Sequence, residues 1–250
     1  MDTKSVKNSL RAAGTRKART SVILAGSLGL LLVATPSAGA RNLEVQIHEV
    51  KCWDETTGKY REKFGVDTMR LAAITIEPSG IVKETRILKL GDFAKDGVLK
   101  QFTPPLRLAS FAIRENLPFP LQYQAVFVLA EKDPGGGLTD QLGKFAQQGS
   151  AAALAKAKSL GATTLEAAAR ATVVGGGTVE GWAASVAREV LKVEVAKWFK
   201  DDVFPPKLES LRVTKKDFIW PGGKTESPRK TVIFKGNQGK YHVVYSWKLI

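Results

Sequence analysis

Carboxylates recur at the ends of the apolar, strand-like segments of this basic chain. Asp54 follows the first such segment, and Glu131 and Asp133 follow a long apolar run in the stretch EKDPGGGLTD. Carboxylate and carbonyl oxygens that converge from several loops are the ligands that calcium prefers. The candidate calcium ligands are Asp54, Asp67, Glu131, Asp133, Asp201 and Asp202.

Strand direction predicts that these acids meet. If consecutive strands run antiparallel, the loops after strands one, three and five lie at the same end, and these loops carry the acids. Asp201 and Asp202 follow a predicted helix, whose end disfavours acids by ~1 kcal/mol or less unless a cation offsets it. Lys132 and Lys200 stand among the acids. Salt bridges, turns and helix caps are therefore the alternative to a bound cation.

Alternating apolar residues, such as Leu43, Val45 and Ile47, predict half-buried strands. The strand-like segments are 42–50, 69–77, 81–90, 106–114, 121–130, 207–214 and 217–220, then a terminal hairpin that turns at 236–239. Residues 91–105 are predicted as a loop, and 121–130 as a central strand because both of its faces are apolar. About seven or eight such strands indicate an antiparallel β-sandwich.

The composition changes between residues 138 and 202, where Ala, Leu, Lys, Glu and Gly dominate without alternation. This segment predicts two or three helices inserted between strands five and six of a mainly β domain. The residues at 163–166 have capping-box spacing, and Thr178 can cap the last helix. That helix has an apolar stripe expected to pack on the sandwich or on the other helices: Val179, Trp182, Val186, Val190 and Val193.

Residues 1–40 are predicted to be a signal peptide, because six basic residues precede an apolar run and Ala38-Gly39-Ala40 offers a cleavage site. An uncleaved membrane anchor is the alternative. Cleavage near Ala40 predicts a secreted or periplasmic protein, in which residues 41–250 form a single domain. It would keep 32 basic and 23 acidic residues, a net charge of +9. This charge favours an anionic surface such as lipid headgroups or cell-wall polymer.

Nucleic acid is a less favoured partner, because the basic residues are scattered and not interleaved with stacking aromatics. Catalysis has little support either. His48 and His242 both lie on predicted strands, and they would flank each other on an outer face if the terminal strands pair. No nucleophile elbow, metal-binding histidine pair or phosphate loop is present in the sequence. The single cysteine, Cys52, is expected to be a small buried residue.

The sequence therefore predicts an exported, non-enzymatic binding or surface-associated protein with a possible calcium site. The alternative is a membrane-active protein that engages anionic lipid through its helical insertion, where residues 151–186 are rich in small side chains.

Four short motifs carry a resemblance: VKCWDETTGKYREKFGVD, AEKDPGG, KDDVFPP and GNQGKYHVVYSWKL. Together they resemble an uncharacterised group of secreted bacterial β-sandwich proteins with a helical insertion. The chain departs from that pattern where Thr68 replaces the Glu after Asp67, which weakens an acidic site there. The resemblance implies a fold and not an activity. In architecture the chain is more loosely similar to calcium-dependent membrane-binding sandwich modules, whose acidic loops cluster at one end.

Overall fold

A computed structural model of the protein describes residues 41–54, 67–94, 96–131, 137–192, 203–236 and 239–250. Within these residues the chain forms nine strands and three helices. In chain order they are β1 (Asn42–Asp54), β2 (Asp67–Ile76), β3 (Val82–Glu84), β4 (Leu88–Phe93), β5 (Leu99–Ala112), β6 (Leu121–Glu131), α1 (Leu138–Ser159), α2 (Leu165–Val174), α3 (Val179–Lys192), β7 (Lys207–Val213), β8 (Lys230–Gly236) and β9 (Gly239–Leu249).

The strands form two antiparallel sheets. Sheet A has the order β5-β1-β9-β8, and sheet B has the order β3-β2-β6-β7, with β4 also pairing with β2. All three helices lie between β6 and β7 in the sequence. The prediction of a mainly β protein with a helical insertion is therefore confirmed, as are the central position of β6 and the terminal hairpin of β8 and β9.

One face of each sheet contributes large side chains to a common core. Tyr241, Val243 and Tyr245 on β9 are all fully buried, as their alternation predicts. The ring of Tyr245 lies 5.1 Å from that of Phe127 in sheet B, and the ring of Tyr241 lies 5.5 Å from that of Phe93. Both contacts are edge-on, which is a favoured geometry for aromatic pairs. They join the inner faces of the two sheets.

The helices pack against sheet B, where α3 contacts β2 and β6 and α1 contacts β3. Trp182 of α3 is buried, and its indole N–H donates to the carbonyl of Ser79 at 3.0 Å. Val179 and Val186 of the same stripe are also buried, whereas the side chains of Val190 and Val193 lie outside the described residues. The expected packing of this stripe is thus confirmed for its described members.

Side-chain caps begin two of the helices. Thr164 accepts from the backbone N–H of Ala167 at 3.1 Å at the start of α2, and Thr178 accepts from that of Gly181 at 2.9 Å at the start of α3. Each cap satisfies a backbone donor that the first helical turn leaves unpaired. No helix in the described part of the chain is long and apolar enough to cross a membrane.

The prediction of a loop at 91–105 is wrong. β4 continues to Phe93 and β5 already begins at Leu99. The two prolines at 104 and 105 concealed this strand, because proline cannot donate to a β-ladder. Proline is tolerated here because β5 pairs only with β1 and so forms the edge of sheet A.

Two further strand predictions need correction. The segment 81–90 is two strands and not one, because Thr85 turns its hydroxyl toward β2 and accepts from the backbone N–H of Ala73 at 2.8 Å. The segment 217–220 forms only an isolated bridge between Trp220 and Lys224. In addition β1 pairs with β5 and β9, so it lies in a different sheet from β2.

Candidate functional site

The ends of several strands meet where the acidic loops were predicted to converge. Asp67 pairs with Phe93 and Met69 pairs with Glu131, so β2 begins at the end of the sheet where β4 and β6 finish. The chain returns to the same end after the helices, because Val203 bridges to β6. Strand direction therefore does bring these segments together, although β1 belongs to the other sheet.

The candidate calcium ligands are placed only in part. Asp54 is exposed at the end of β1 and lies opposite Lys240 of β9, and Glu131 is half-buried at the end of β6. Only the backbone of Asp67 is described, and Asp133, Asp201 and Asp202 lie outside the described residues.

Among the residues that the structure describes, no group of three or more His, Cys, Asp or Glu side chains is arranged to hold a metal. One acid at this end has a protein partner, since the hydroxyl of Thr68 donates to Asp92 at 2.6 Å. The calcium site therefore stays a prediction.

A different surface lies next to this end, on the outer face of sheet A. Lys51 of β1 pairs with Leu99 of β5 on one side and with His242 of β9 on the other, and His242 pairs with Ile233 of β8. Residues in register share a face, so these four side chains form a row across the whole sheet. We call this surface the Trp53 face; its members are Lys51, Trp53, Leu99, Ile233, Lys235, Lys240 and His242.

Trp53 lies beside two of the lysines of this face. It occupies an irregular position between Cys52 and Asp54, where the register with β9 shifts, and 46% of its surface is exposed. The Lys51 Nζ lies 3.7 Å from the centroid of its ring, and the Lys240 Nζ lies 5.3 Å away. Both distances are within reach of a cation–π attraction, which holds the two ammonium groups over an exposed aromatic ring.

The lysines set the local electrostatics. Burial lowers the pKa of His242, and the charges of Lys240, Lys51 and Lys235 lower it further. Its Nε2 is buried and has no hydrogen-bond partner within the described residues. His242 is therefore mainly uncharged at neutral pH, and the positive charge of the face is carried by the three lysines.

The carboxylates nearest in register to these lysines form no ion pair with them among the described residues. Asp54 lies opposite Lys240 in the register, and Glu49 lies one row further along β1. None of Lys51, Lys235 and Lys240 forms an ion pair in the part of the chain that the structure describes. Two of these ammonium groups lie over the exposed indole and the third, on Lys235, is opposite Lys240 in the register, so together they can attract a polyanion.

Sequence reasoning missed this face because it followed only the inward positions of the first and last strands. The inward alternation of Tyr241, Val243 and Tyr245 leaves Lys240 and His242 on the opposite side, and Lys51 and Trp53 stand at alternate positions of β1. Pairing of the terminal strands was weighed for the two histidines alone. Applied to their neighbours, the same pairing would have placed these lysines beside Trp53.

A buried polar cluster occupies another part of the same outer face. His48 Nε2 lies 2.8 Å from the hydroxyl of Ser246 and 3.2 Å from a carboxylate oxygen of Glu226, to which Ser246 donates at 2.8 Å. In a Ser-His-acid triad the serine and the acid contact different ring nitrogens. Here both contact Nε2, and Ser246 is fully buried. The cluster therefore holds strands together and is not arranged for nucleophilic attack.

The two histidines do not flank each other. The terminal strands do pair, but His48 lies against Ser246 whereas His242 pairs with Lys51. His242 and Ser246 are four residues apart on β9, a distance of about 14 Å along the strand, so the two histidines lie in different parts of the face. Cys52 is fully buried, as expected for a lone cysteine on a strand.

A groove of ≈ 680 Å³ runs beside the free edge of β5. Its charged side chains are Glu44, Arg86 and Arg107. Arg107 Nη1 donates to Glu44 Oε1 at 3.3 Å, and Gln46 donates to the other oxygen of Glu44 at 3.0 Å. Arg86 is thus the one charge in the groove that lacks a carboxylate partner among the described residues. The groove carries less unbalanced charge than the Trp53 face.

No family model matches the chain, and neither a curated protein nor a solved structure shows significant similarity to it. The resemblance to secreted sandwich proteins thus stays a prediction.

Proposed function

We propose that this is an exported, non-enzymatic β-sandwich protein that binds an anionic partner through the Trp53 face. One observation carries the proposal. Trp53 is about half exposed, yet it lies under two lysines that have no ion-pair partner in the described residues. An exposed tryptophan beside lysines that lack an ion-pair partner supports a binding surface, because 46% of the Trp53 surface stays exposed although its ring lies 5.2 Å from that of His242.

The sandwich assignment is supported by the arrangement of the sheets. Their inner faces share aromatic contacts such as Phe127 with Tyr245, while the helices lie on the outer side of sheet B. The outer side of sheet A can then present the Trp53 face. Export is supported by the basic and apolar segments of residues 1–40.

The non-enzymatic assignment is supported by the polar clusters. His48, Ser246 and Glu226 form the group nearest to a catalytic triad, and its geometry does not suit one. Glu77 is buried between Arg114 and Lys83, with oxygen to nitrogen distances of 2.8 and 2.9 Å, as in a structural ion pair.

The helical insertion is the weaker candidate for lipid binding. The apolar side chains of α3 that the structure describes face sheet B, and Trp182 is held there by its bond to Ser79. Apolar surface that is already buried cannot also enter a membrane. The Trp53 face has no such cover from the helices, which contact β2, β3 and β6 and so lie on the other sheet.

A matched pair of triple variants tests the proposal. The first variant, Lys51→Gln, Lys235→Gln and Lys240→Gln, removes three charges from the Trp53 face. The second, Lys144→Gln, Lys156→Gln and Lys158→Gln, removes three from α1 and serves as the control. On a sulfated-polymer column the face variant should elute at clearly lower salt than the wild type, and the α1 variant close to it.

Because both variants change the net charge equally, a general ion-exchange effect would lower the elution salt of both by the same amount. That result would overturn the proposal. Thermal unfolding of each variant checks that the fold is retained, as expected for substitutions of lysines that are exposed or only partly buried.

A further inference from the structure

We infer that the anionic partner is a lipid bilayer with anionic headgroups, and that the Trp53 face lies against it with Trp53, Leu99 and Ile233 entering the interfacial region. This inference rests on the proposed function, because it names the partner of the same face.

The apolar residues of the face distinguish a bilayer from other polyanions. Leu99 is 47% exposed and Ile233 is 40% exposed, and they end the row that crosses sheet A. Trp53 is exposed beside the same row. A dissolved polyanion gains nothing from aliphatic side chains, whereas a bilayer removes them from water. Tryptophan is also a side chain that favours the membrane interface, because its ring is apolar and its N–H is polar.

The lysines have the reach that a bilayer requires. Lys51, Lys235 and Lys240 carry their charges on long aliphatic stems, which lie along apolar surface while the ammonium groups contact headgroups. Attraction to an anionic leaflet contributes about fivefold in partitioning for each lysine near the surface. Three lysines and three apolar side chains therefore act in the same direction.

Within the described residues, the helices leave this face uncovered. The helices contact strands of sheet B, so they do not lie on the outer side of sheet A. The row from Leu99 to Ile233 spans all four strands of that sheet, about 14 Å at the usual strand spacing. A broad face of this kind suits a surface better than a small ligand, which prefers a concave site.

Nucleic acid fits the face less well. Binding to single strands uses several aromatic side chains on which successive bases stack. Trp53 is the one large aromatic residue that is well exposed in the described part of the chain. One ring and two aliphatic side chains do not form a stacking platform.

Quenching of Trp53 by brominated lipid tests the inference. The full chain and its Trp53→Phe variant are mixed with vesicles of phosphatidylcholine and phosphatidylglycerol whose acyl chains carry bromine. The fluorescence lost by the wild type beyond that lost by the variant belongs to Trp53. We expect anionic vesicles to quench Trp53. The affinity for these vesicles, measured from the lipid dependence of the quenching, should fall at least tenfold when Lys51, Lys235 and Lys240 are changed to Gln.

A second variant separates a bilayer from a soluble polyanion. Leu99→Gln together with Ile233→Gln keeps every lysine, so retention on the sulfated-polymer column should be unchanged. Its affinity for anionic vesicles should fall several-fold. Equal affinity of this variant and the wild type for vesicles would overturn the inference.

Three other outcomes would also overturn it and are distinguishable from one another. Retention on the polymer without quenching of Trp53 by lipid would leave the proposed function in place but assign the face to a soluble polyanion. Vesicle binding without quenching of Trp53 would show that another part of the chain, such as the apolar run at 21–34, holds the membrane. Absence of both polymer retention and vesicle binding in the wild type would overturn the proposed function as well.

Discussion

Two residues on the outer side of β1 show how strongly environment decides the role of a side chain. Trp53 is 46% exposed, whereas His48 is only 6% exposed. Residues 225–227 follow the line of β8 and pair with the end of β9, and Glu226 from this segment reaches His48. Nothing comparable covers Trp53 among the described residues. His48 therefore joins segments of the fold, whereas Trp53 keeps about half of its surface exposed and carries the proposed binding face.

The buried position of His48 predicts a pH dependence of stability. Burial lowers its pKa first, Arg229 lowers it further, and Glu226 and Glu49 act in the opposite direction. The folded-state pKa is thus below the unfolded value of about 6.5, so the unfolded chain takes up the proton first as pH falls. The stabilisation is complete above this value and is lost as pH falls through the folded-state pKa.

Urea unfolding at pH 7.5 and pH 5.0 measures this effect. The loss of unfolding free energy on acidification should be smaller in His48→Gln than in the wild type. His242→Gln is the comparison, because the pKa of His242 is lowered as well. An unchanged loss in both variants would show that neither histidine contributes to the acid sensitivity.

The predicted calcium ligands are also tested one residue at a time. If the acidic loop end binds calcium, the ion at ~100 times its Kd should add ~2.7 kcal/mol to the unfolding free energy. Asp133→Ala should abolish this gain, while magnesium at the same concentration should give less. Thermal unfolding with and without calcium is the measurement, and no shift in the wild type would rule out the site.

At the scale of elements, alternation and turn chemistry predicted most of the strands. The inward residues of β1, β6 and β9 are buried as expected, and the helices leave and return where the sequence placed them. Prediction failed where a residue's effect depends on its neighbours. Pro104 and Pro105 lie within a strand because β5 is an edge, and Thr85 interrupts a strand because its hydroxyl replaces a backbone acceptor.

The Trp53 face could not be predicted from local sequence patterns as the strands were. Its members come from four strands, and their meeting depends on β1 pairing with both β5 and β9. Neither pairing is local in sequence. The position of alternate loops at the same end of the sheet was predictable, by contrast, because it depends only on the direction of successive strands.

The contact between the helical insertion and sheet B predicts an effect of the turn after β2. Gly80 has a positive φ of 89°, and a Cβ there would lie 2.9 Å from the indole nitrogen of Trp182. Gly97 has a similar φ of 80° but has no atom within 4 Å of the same position. Alanine at either site incurs about 1–2 kcal/mol of backbone strain. Gly80→Ala should lower the unfolding free energy by about 1–3 kcal/mol more than Gly97→Ala, because it also displaces Trp182.

Denaturant unfolding of the two alanine variants gives this difference directly. Since both glycines have the same backbone restriction, the comparison isolates the packing of α3 on the sheet. Equal destabilisation by Gly80→Ala and Gly97→Ala would show that Trp182 can move without loss of stability. The insertion would then be held mainly by other contacts.

At the scale of the whole molecule, the two sheets have different surroundings. Sheet B lies under the helices, whereas the outer face of sheet A carries a buried polar cluster and the Trp53 face. The division places the unpaired lysines on the side opposite the insertion. An anionic partner of the proposed face would therefore approach sheet A without displacing α1, α2 or α3.

Protection of lysines from acetylation tests this account most directly. The protein is acetylated with and without anionic vesicles, or with and without a soluble sulfated polymer, and the modified residues are quantified by mass spectrometry. Lys51, Lys235 and Lys240 should be protected several-fold by the partner, while Lys144 and Lys158 of α1 should be acetylated equally in both conditions. Protection of the α1 lysines with no protection of the Trp53 face would contradict the account.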